Sequence, residues 1–151
     1  MPDIAFTVVG KPEQAGSKKW LPRKGIKGAR PIITDDNPRA KQWMRAVGME
    51  ARIAMMQHEI ITGPCELHLV FYMPRTKDHY GTGRNAGKLK DSAPLYPTKK
   101  PDTTKLVRAV EDGMKGIVWL DDSQVVDQTA KRRYADDGKP RVEVLVRAID
   151  I

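Results

Sequence analysis

The sequence contains one cysteine, Cys65, so it has no partner for an internal disulfide and cannot supply a cysteine-based zinc site. Aromatic residues make up only 6% of the chain, and no apolar run approaches the roughly 18–20 residues of a membrane-spanning helix. The N-terminus lacks a basic segment followed by an apolar one, so it does not resemble an export signal. These absences predict a cytoplasmic protein with no membrane partner.

Positive charge, in contrast, is abundant. Lys and Arg number 27 against 19 Asp and Glu, which gives a net charge of +8 in 151 residues. Such an excess favours an anionic partner, and nucleic acid is the leading candidate because its phosphates attract Lys and Arg. A basic surface without such a partner is the open alternative. The length predicts a single domain over residues 1–151.

Hydrophobic periodicity predicts an α+β fold, with a mixed β-sheet flanked by two main helices and long basic loops. The last two strands are expected to form a hairpin, because an Asp-Gly turn joins them. Cys65 is expected to be buried and inert. In chain order, the predicted elements are a strand at Asp3–Val9, a helix from Pro38 to about Ile60 with Asn37 as its N-cap, a strand at Cys65–Met73, a helix from Asp102 to Gly113 or Gly116, and strands at Gln124–Tyr134 and Pro140–Ile149.

Two segments without periodicity, 10–36 and 74–101, are rich in Gly, Pro and basic residues. Loops of this length in a compact domain are usually functional, so we expect both to bind DNA, with a solvated surface loop as the alternative. The stretch Gly81–Lys88 is only a weak match to a phosphate-binding loop, because Leu89 stands where Ser or Thr is required, and a flexible basic loop is the better interpretation. The predicted DNA-binding residues are Lys18, Lys19, Arg23, Lys24, Lys27, Arg30, Arg75, Lys77, Arg84, Lys88, Lys90, Lys99, Lys100 and Lys105.

Acidic residues stand at both ends of the second predicted helix. Asp102 and Asp122 are 20 residues apart (122 − 102), a spacing that suits one helix followed by a turn. Mg²⁺ is commonly held by one or two carboxylates together with water and substrate phosphate oxygens. Arg108 lies further along the helix and could stabilise developing negative charge. The alternative is that Asp102 only caps the helix and Asp121-Asp122 only forms a turn.

The second half of the chain carries a more specific pattern. KPD precedes the helix at 100–102, GIVWLDDSQVVD follows it at 116–127, and the basic stretch TAKRRY comes next. These residues resemble the RusA family of Holliday junction resolvases. The resemblance implies a homodimeric crossover junction endodeoxyribonuclease that uses Mg²⁺, or Mn²⁺, to nick four-way DNA junctions symmetrically in recombination and repair. It implies catalytic roles for Asp102, Arg108 and Asp122.

In one respect the sequence departs from the family pattern. The family has a second acid two residues after the first, and this chain has Thr104 there, followed by Lys105 where Asn is usual. Asp102 and Asp122 are therefore the predicted metal ligands, and Thr104, Asp121 and Glu111 are candidates for completing the site. Two alternatives stay open: a branched-DNA- or RNA-binding module without catalysis, and a basic scaffold or assembly protein without a site.

Overall fold

The computed structural model describes residues 3–16, 18–21, 32–35 and 38–150. It confirms the α+β class, with a mixed sheet and two helices. No helix among the described residues is long and apolar enough to cross a membrane. The elements are β1 (Ile4–Val9), β2 (Lys18–Leu21), β3 (Ile32–Asp35), α1 (Pro38–Ala54), β4 (Cys65–Met73), α2 (Thr103–Met114), β5 (Val125–Tyr134) and β6 (Arg141–Ala148).

The four-stranded sheet has the order β1-β6-β4-β5, in which β5 runs parallel to β4 and the other neighbours are antiparallel. The predicted hairpin of β5 and β6 is therefore wrong, because β4 lies between them. The Asp-Gly turn does form, with Gly138 at φ 75°. The chain crosses the end of β4 there, and the Ala135 amide donates to the Met73 carbonyl at 2.8 Å. The strand order is therefore decided by the pairing of β5 and β6 with the two edges of β4, and not by the preference of the local turn for a hairpin.

The core lies on one face of the sheet. Alternate residues of β4 are buried there, and Cys65 is among them, as predicted. Burial also raises the pKa of its thiol, which disfavours the reactive thiolate. Residues of both helices join the same apolar cluster, including Val47 of α1 and Val110 of α2. The residues on the opposite face of β4 are only half-buried.

The loops and helix ends differ from the prediction. Segment 10–36 contains β2 and β3, which pair with each other, while Arg23, Lys24, Lys27, Arg30 and Asn37 lie outside the described residues. Segment 74–101 contains two short 3₁₀ helices. Helix α1 ends at Ala54 and not near Ile60. The early end has a physical reason, because the Ile61 amide donates to the Val118 carbonyl at 2.9 Å and the chain must leave the helix to reach it.

Gly113 provides a test of how closely the two helices pack. A Cβ at Gly113 would lie 2.9 Å from the Met44 carbonyl oxygen and 2.9 Å from Val47 Cγ1. We expect Gly113→Ala to lower the free energy of unfolding by about 1–3 kcal/mol, since overpacking outweighs the better helix propensity of Ala. Urea denaturation measures the change. The control, Gly63→Ala, meets no atom within 4 Å and should change the value by less than about 0.5 kcal/mol. Equal losses would contradict the prediction.

Candidate active site

Asp102 stands at the N-cap position of α2, as predicted, but its side chain makes no capping hydrogen bond. The residue is exposed, and its backbone carbonyl accepts from the Leu106 amide at 3.1 Å. The segment just before it is held by Arg132 of β5, whose Nη1 donates to the carbonyls of Lys99 at 3.0 Å and Pro101 at 2.6 Å. The backbone is thus fixed at the helix entrance, while the Asp102 carboxylate is not used as a cap.

Asp122 is positioned by a buried aromatic residue. The side chain of Trp119 is fully buried, and its Nε1 donates to Asp122 Oδ1 at 2.8 Å. Because a buried indole N–H needs an acceptor, this contact both satisfies Trp119 and orients the half-buried carboxylate. Within the sequence GIVWLDD, Trp119 therefore positions Asp122, the second aspartate of the pair.

Its neighbour Asp121 has a different environment. One of its oxygens accepts from the Ser123 amide at 3.0 Å, and the other lies 3.2 Å from Lys115 Nζ. Hydrogen bonds from the Ser123 hydroxyl and amide, followed by Lys115, lower the pKa of Asp121 to about 2. The carboxylate is therefore ionised and already engaged in the turn, which leaves Asp122 as the acid of the pair that is better placed for chemistry.

Gln124 fastens the same turn to the rest of the fold. Its Oε1 accepts from the amides of Leu120 at 2.8 Å and Asp121 at 2.9 Å. Its Nε2 donates to the carbonyls of Ile61 at 2.8 Å and Gly63 at 2.9 Å. One side chain thus joins the aspartate turn to the segment before β4, a role that no pattern in the sequence indicates.

We expect Gln124→Ala to lower the free energy of unfolding by about 2–3 kcal/mol, because four backbone groups lose their partner and water compensates only partly. Chemical denaturation measures the loss. The matched control is Gln128→Ala, which removes one exposed bond of 3.3 Å to Glu111 and should cost less than about 0.5 kcal/mol. Similar losses in the two variants would show that the Gln124 bonds do not hold the turn.

Glu111 is the acid that the structure associates with Asp122. It is half-buried on α2 and accepts from Gln128 Nε2 of β5 at 3.3 Å. Its pKa is raised, first by burial and then by the negative charge of Asp122, while Gln128 and the more weakly acting Arg108 oppose the shift. A second negative charge near the Glu111 carboxylate forms an environment in which a cation is stabilised.

The predicted site residues lie along one exposed side of α2. Thr104, Arg108 and Glu111 follow helical spacing on this side, and Arg108 is exposed between the other two. Asp102 precedes Glu111 by nine residues (111 − 102), or about 13 Å along a helix, which exceeds the reach of two carboxylates to one ion. Glu111 thus shares its electrostatic environment with Asp122 and Arg108, while Asp102 lies too far along the helix to join Glu111 at one ion. A metal ion shared by Asp102 and Asp122 stays a prediction.

The donor set fits a hard cation such as Mg²⁺. Among the described residues, no three Asp, Glu, His or Cys side chains form a group that could hold a metal ion. Mg²⁺ does not require such a cage, because it keeps several waters and is usually bound by one or two carboxylates together with substrate phosphates. Asp122 and Glu111 supply two carboxylates, so the remaining ligands would come from water and DNA.

Most of the predicted DNA-binding side chains that the structure describes are exposed, but Arg75 is not. Its side chain is only 3% exposed and its Nε lies 2.6 Å from Asp136 Oδ1. The side chains of Lys18 and Lys19 lie outside those that the structure describes. Arg132 is not among the predicted site residues. The exposed members are Lys77, Arg84, Lys88, Lys90, Lys99, Lys100 and Lys105.

Comparison with known proteins shows what the chain as a whole is similar to. Residues 11–147 match the model of a family described as Endodeoxyribonuclease RusA. The chain is also similar to the "Uncharacterized protein YqaN" of Bacillus subtilis (strain 168), with 34% identity over 152 residues. That alignment covers 97% of this chain and 96% of the Bacillus protein. The match extends well beyond the motif around α2.

Proposed function

The chain belongs to the RusA family of endodeoxyribonucleases, and from this premise we propose that it is a magnesium-dependent enzyme that resolves Holliday junctions by paired symmetrical nicks. The observation that carries the proposal is the family match over residues 11–147, and the raised pKa of Glu111, to which the charge of Asp122 contributes, is consistent with a cation site at α2. The net charge of +8 supports binding to DNA phosphates. We further propose that the protein acts in the cytoplasm as a single-domain homodimer with one site in each subunit, which pairs the two nicks.

We assign the metal-binding role to Asp122 and Glu111. When bound there, Mg²⁺ would neutralise charge on the scissile phosphate and lower the pKa of a bound water. Trp119 holds Asp122 in orientation through its 2.8 Å hydrogen bond, and Gln128 does the same for Glu111 at 3.3 Å. Arg108 offers a cationic side chain to the charge that develops on the phosphate. Asp102 keeps a proposed catalytic role: its exposed carboxylate lies at the entrance of α2 and would take part there once DNA is bound.

The direct test compares a synthetic four-way junction with linear duplex of the same sequence, each with Mg²⁺ or with excess chelator. We expect nicks at symmetrical positions in the junction, only with Mg²⁺, and much slower nicking of the duplex. Junction nicking that persists in chelator would overturn the metal mechanism. Light scattering of the protein in solution tests the homodimer, and a monomer at concentrations that support nicking would overturn that part.

A branched-DNA-binding module without catalysis is the second candidate, favoured by the lack of a third acid at Thr104. It predicts salt-sensitive junction binding and no magnesium-dependent product. A scaffold or assembly protein would show neither.

Thr104 itself can be tested by adding the missing acid. Thr104 is exposed on the same side of α2 as Arg108 and Glu111, so the new carboxylate of Thr104→Asp would extend the acidic surface toward Asp102. We expect the magnesium concentration that gives half-maximal nicking to fall roughly tenfold, equivalent to about 1.4 kcal/mol of binding free energy. A magnesium titration of the nicking rate measures this, and Thr104→Asn, which adds a similar volume without charge, is the control. An equal shift in both variants would contradict a role for the added charge.

A further inference from the structure

A cavity of about 410 Å³ lies beside the entrance of α2, outside the group formed by Asp122 and Glu111. It is bounded by the end of β4, by Tyr134 at the end of β5 and by the segment that leads into Asp102. Lys11, which follows β1, also lines it. The fold thus joins four distant parts of the chain around one opening.

The charge of this cavity has one sign. Its cationic lining residues come from all these parts of the chain, and none of its described lining residues is Asp or Glu. Two acids lie just outside it: Asp136 accepts from Arg75, and Asp78 accepts from the Thr76 hydroxyl. Such a one-signed lining attracts an anion. The cationic lining residues are Lys11, Arg75, Lys99, Lys100 and Arg132.

The inner wall is rigid and built from buried polar groups. Arg75 is only 3% exposed, donates from Nη1 to the Pro94 carbonyl at 2.8 Å, and places its guanidinium carbon 4.1 Å from the centre of the Tyr134 ring. His79, 7% exposed, meets the same ring edge-on at 5.4 Å. Arg132 is fixed by the Lys99 and Pro101 carbonyls. An arrangement held before a ligand arrives loses little entropy on binding it.

The mouth of the cavity is different, since Lys11, Lys99 and Lys100 are exposed there. Ammonium groups on flexible stems can close on a phosphate that enters between them. Lys100 lies eleven residues before Glu111 (111 − 100), which is about 16 Å along a helix. A DNA strand advances about 3.4 Å per nucleotide along its axis, which makes this separation about five nucleotides.

We propose that this cavity binds one backbone phosphate of the DNA strand about five nucleotides from the nick. The inference rests on the proposed function, because it places the nick at the exposed side of α2. Lys11 and Lys99 bind the phosphate. Arg132, held by two backbone carbonyls, contributes positive charge behind it, while Asp136 offsets most of the charge of Arg75. The cavity would thereby set the register of the strand relative to Asp102.

The test is a double-mutant cycle between protein and DNA, measured as binding of a four-way junction by fluorescence anisotropy in chelator, where no chemistry is needed. Single phosphates near the branch point are replaced in turn by neutral methylphosphonate. We expect the wild-type protein to lose about tenfold in affinity at one phosphate about five nucleotides from the nick. The Lys11→Ala/Lys99→Ala protein should bind the unmodified junction more weakly and show no further loss at that phosphate.

Lys131→Ala is the matched control. Lys131 precedes Arg132 on β5 but lines a depression on the opposite face of the sheet, next to His68 and Glu143. This variant should keep the wild-type response to methylphosphonate. Equal responses of the wild-type and double-variant proteins at every phosphate, or a coupled phosphate more than about eight nucleotides from the nick, would overturn the inference. The proposed function is tested separately, by magnesium-dependent nicking of the unmodified junction. The nuclease function and the phosphate-binding cavity can therefore fail independently of each other.

Discussion

Replacing Asp122 by Asn is expected to reduce the nicking rate of a four-way junction by about 10²–10³-fold, because several kcal/mol of electrostatic stabilisation at the phosphate depend on this carboxylate. The Asn side chain keeps an oxygen that can accept from Trp119 Nε1, at 2.8 Å in the native protein, so the turn should remain folded. Junction binding in chelator should be unchanged or slightly tighter, since one negative charge is removed next to DNA. Single-turnover nicking and anisotropy measure the two quantities.

The adjacent acid supplies the control. The Asp121 carboxylate is engaged by Ser123 and Lys115, and its pKa is lowered to about 2 by those contacts, led by the Ser123 hydroxyl. We therefore expect Asp121→Asn to keep nicking within roughly threefold of wild type, a change below about 0.7 kcal/mol in activation free energy. If Asp121→Asn abolished nicking and Asp122→Asn did not, the roles assigned to the two aspartates would be reversed.

Local patterns predicted the elements around the site. The N-cap position of Asp102 and a helix that ends near Gly113 follow from the apolar spacing and flanking residues, and the structure confirms both. The pairing of β5 and β6 could not be obtained in this way. An Asp-Gly turn favours a hairpin, but the parallel pairing of β4 with β5 depends on the helical crossover and on residues about 60 positions apart. The local preference for a hairpin can be recognised in the sequence, whereas the pairing of distant strands cannot.

The same distinction applies to the positioning residues. Gln124 contacts the carbonyls of Ile61 and Gly63, and Arg132 contacts those of Lys99 and Pro101. These contacts connect segments that are more than 30 residues apart, and the backbone carbonyls they use leave no trace in residue type. Alternation along a strand places Arg132 on the opposite face from its neighbours, but it does not show what lies on that side. The positioning roles of Gln124 and Arg132 can be recognised only once the pairing of β4 and β5 is known.

Glu111→Gln is expected to raise the stability of the protein and to lower its nicking activity. The pKa of Glu111 is raised in the folded protein, first by burial and then by Asp122, so its ionised form is disfavoured relative to the unfolded chain. Above the folded pKa this ionisation lowers stability, and below the unfolded pKa of about 4.3 both states are protonated. Removing the charge should therefore raise the melting temperature at pH 7 by about 1–3 °C, and the difference should vanish near pH 4.

The same substitution should lower magnesium-dependent nicking by on the order of 10²-fold, because one of the two carboxylates proposed to hold the ion is lost. Binding can be read without activity: Mg²⁺ should raise the melting temperature of the wild-type protein and have a smaller effect on Glu111→Gln, since a ligand that binds only the folded state stabilises it. Glu143→Gln is the control. Glu143 is a half-buried acid beside Arg141, at 3.7 Å, so its loss should slightly lower stability and leave the response to Mg²⁺ intact. If Glu111→Gln kept wild-type nicking while Asp102→Asn lost it, the second metal ligand would be Asp102, and the ion would lie closer to the N-terminal end of α2.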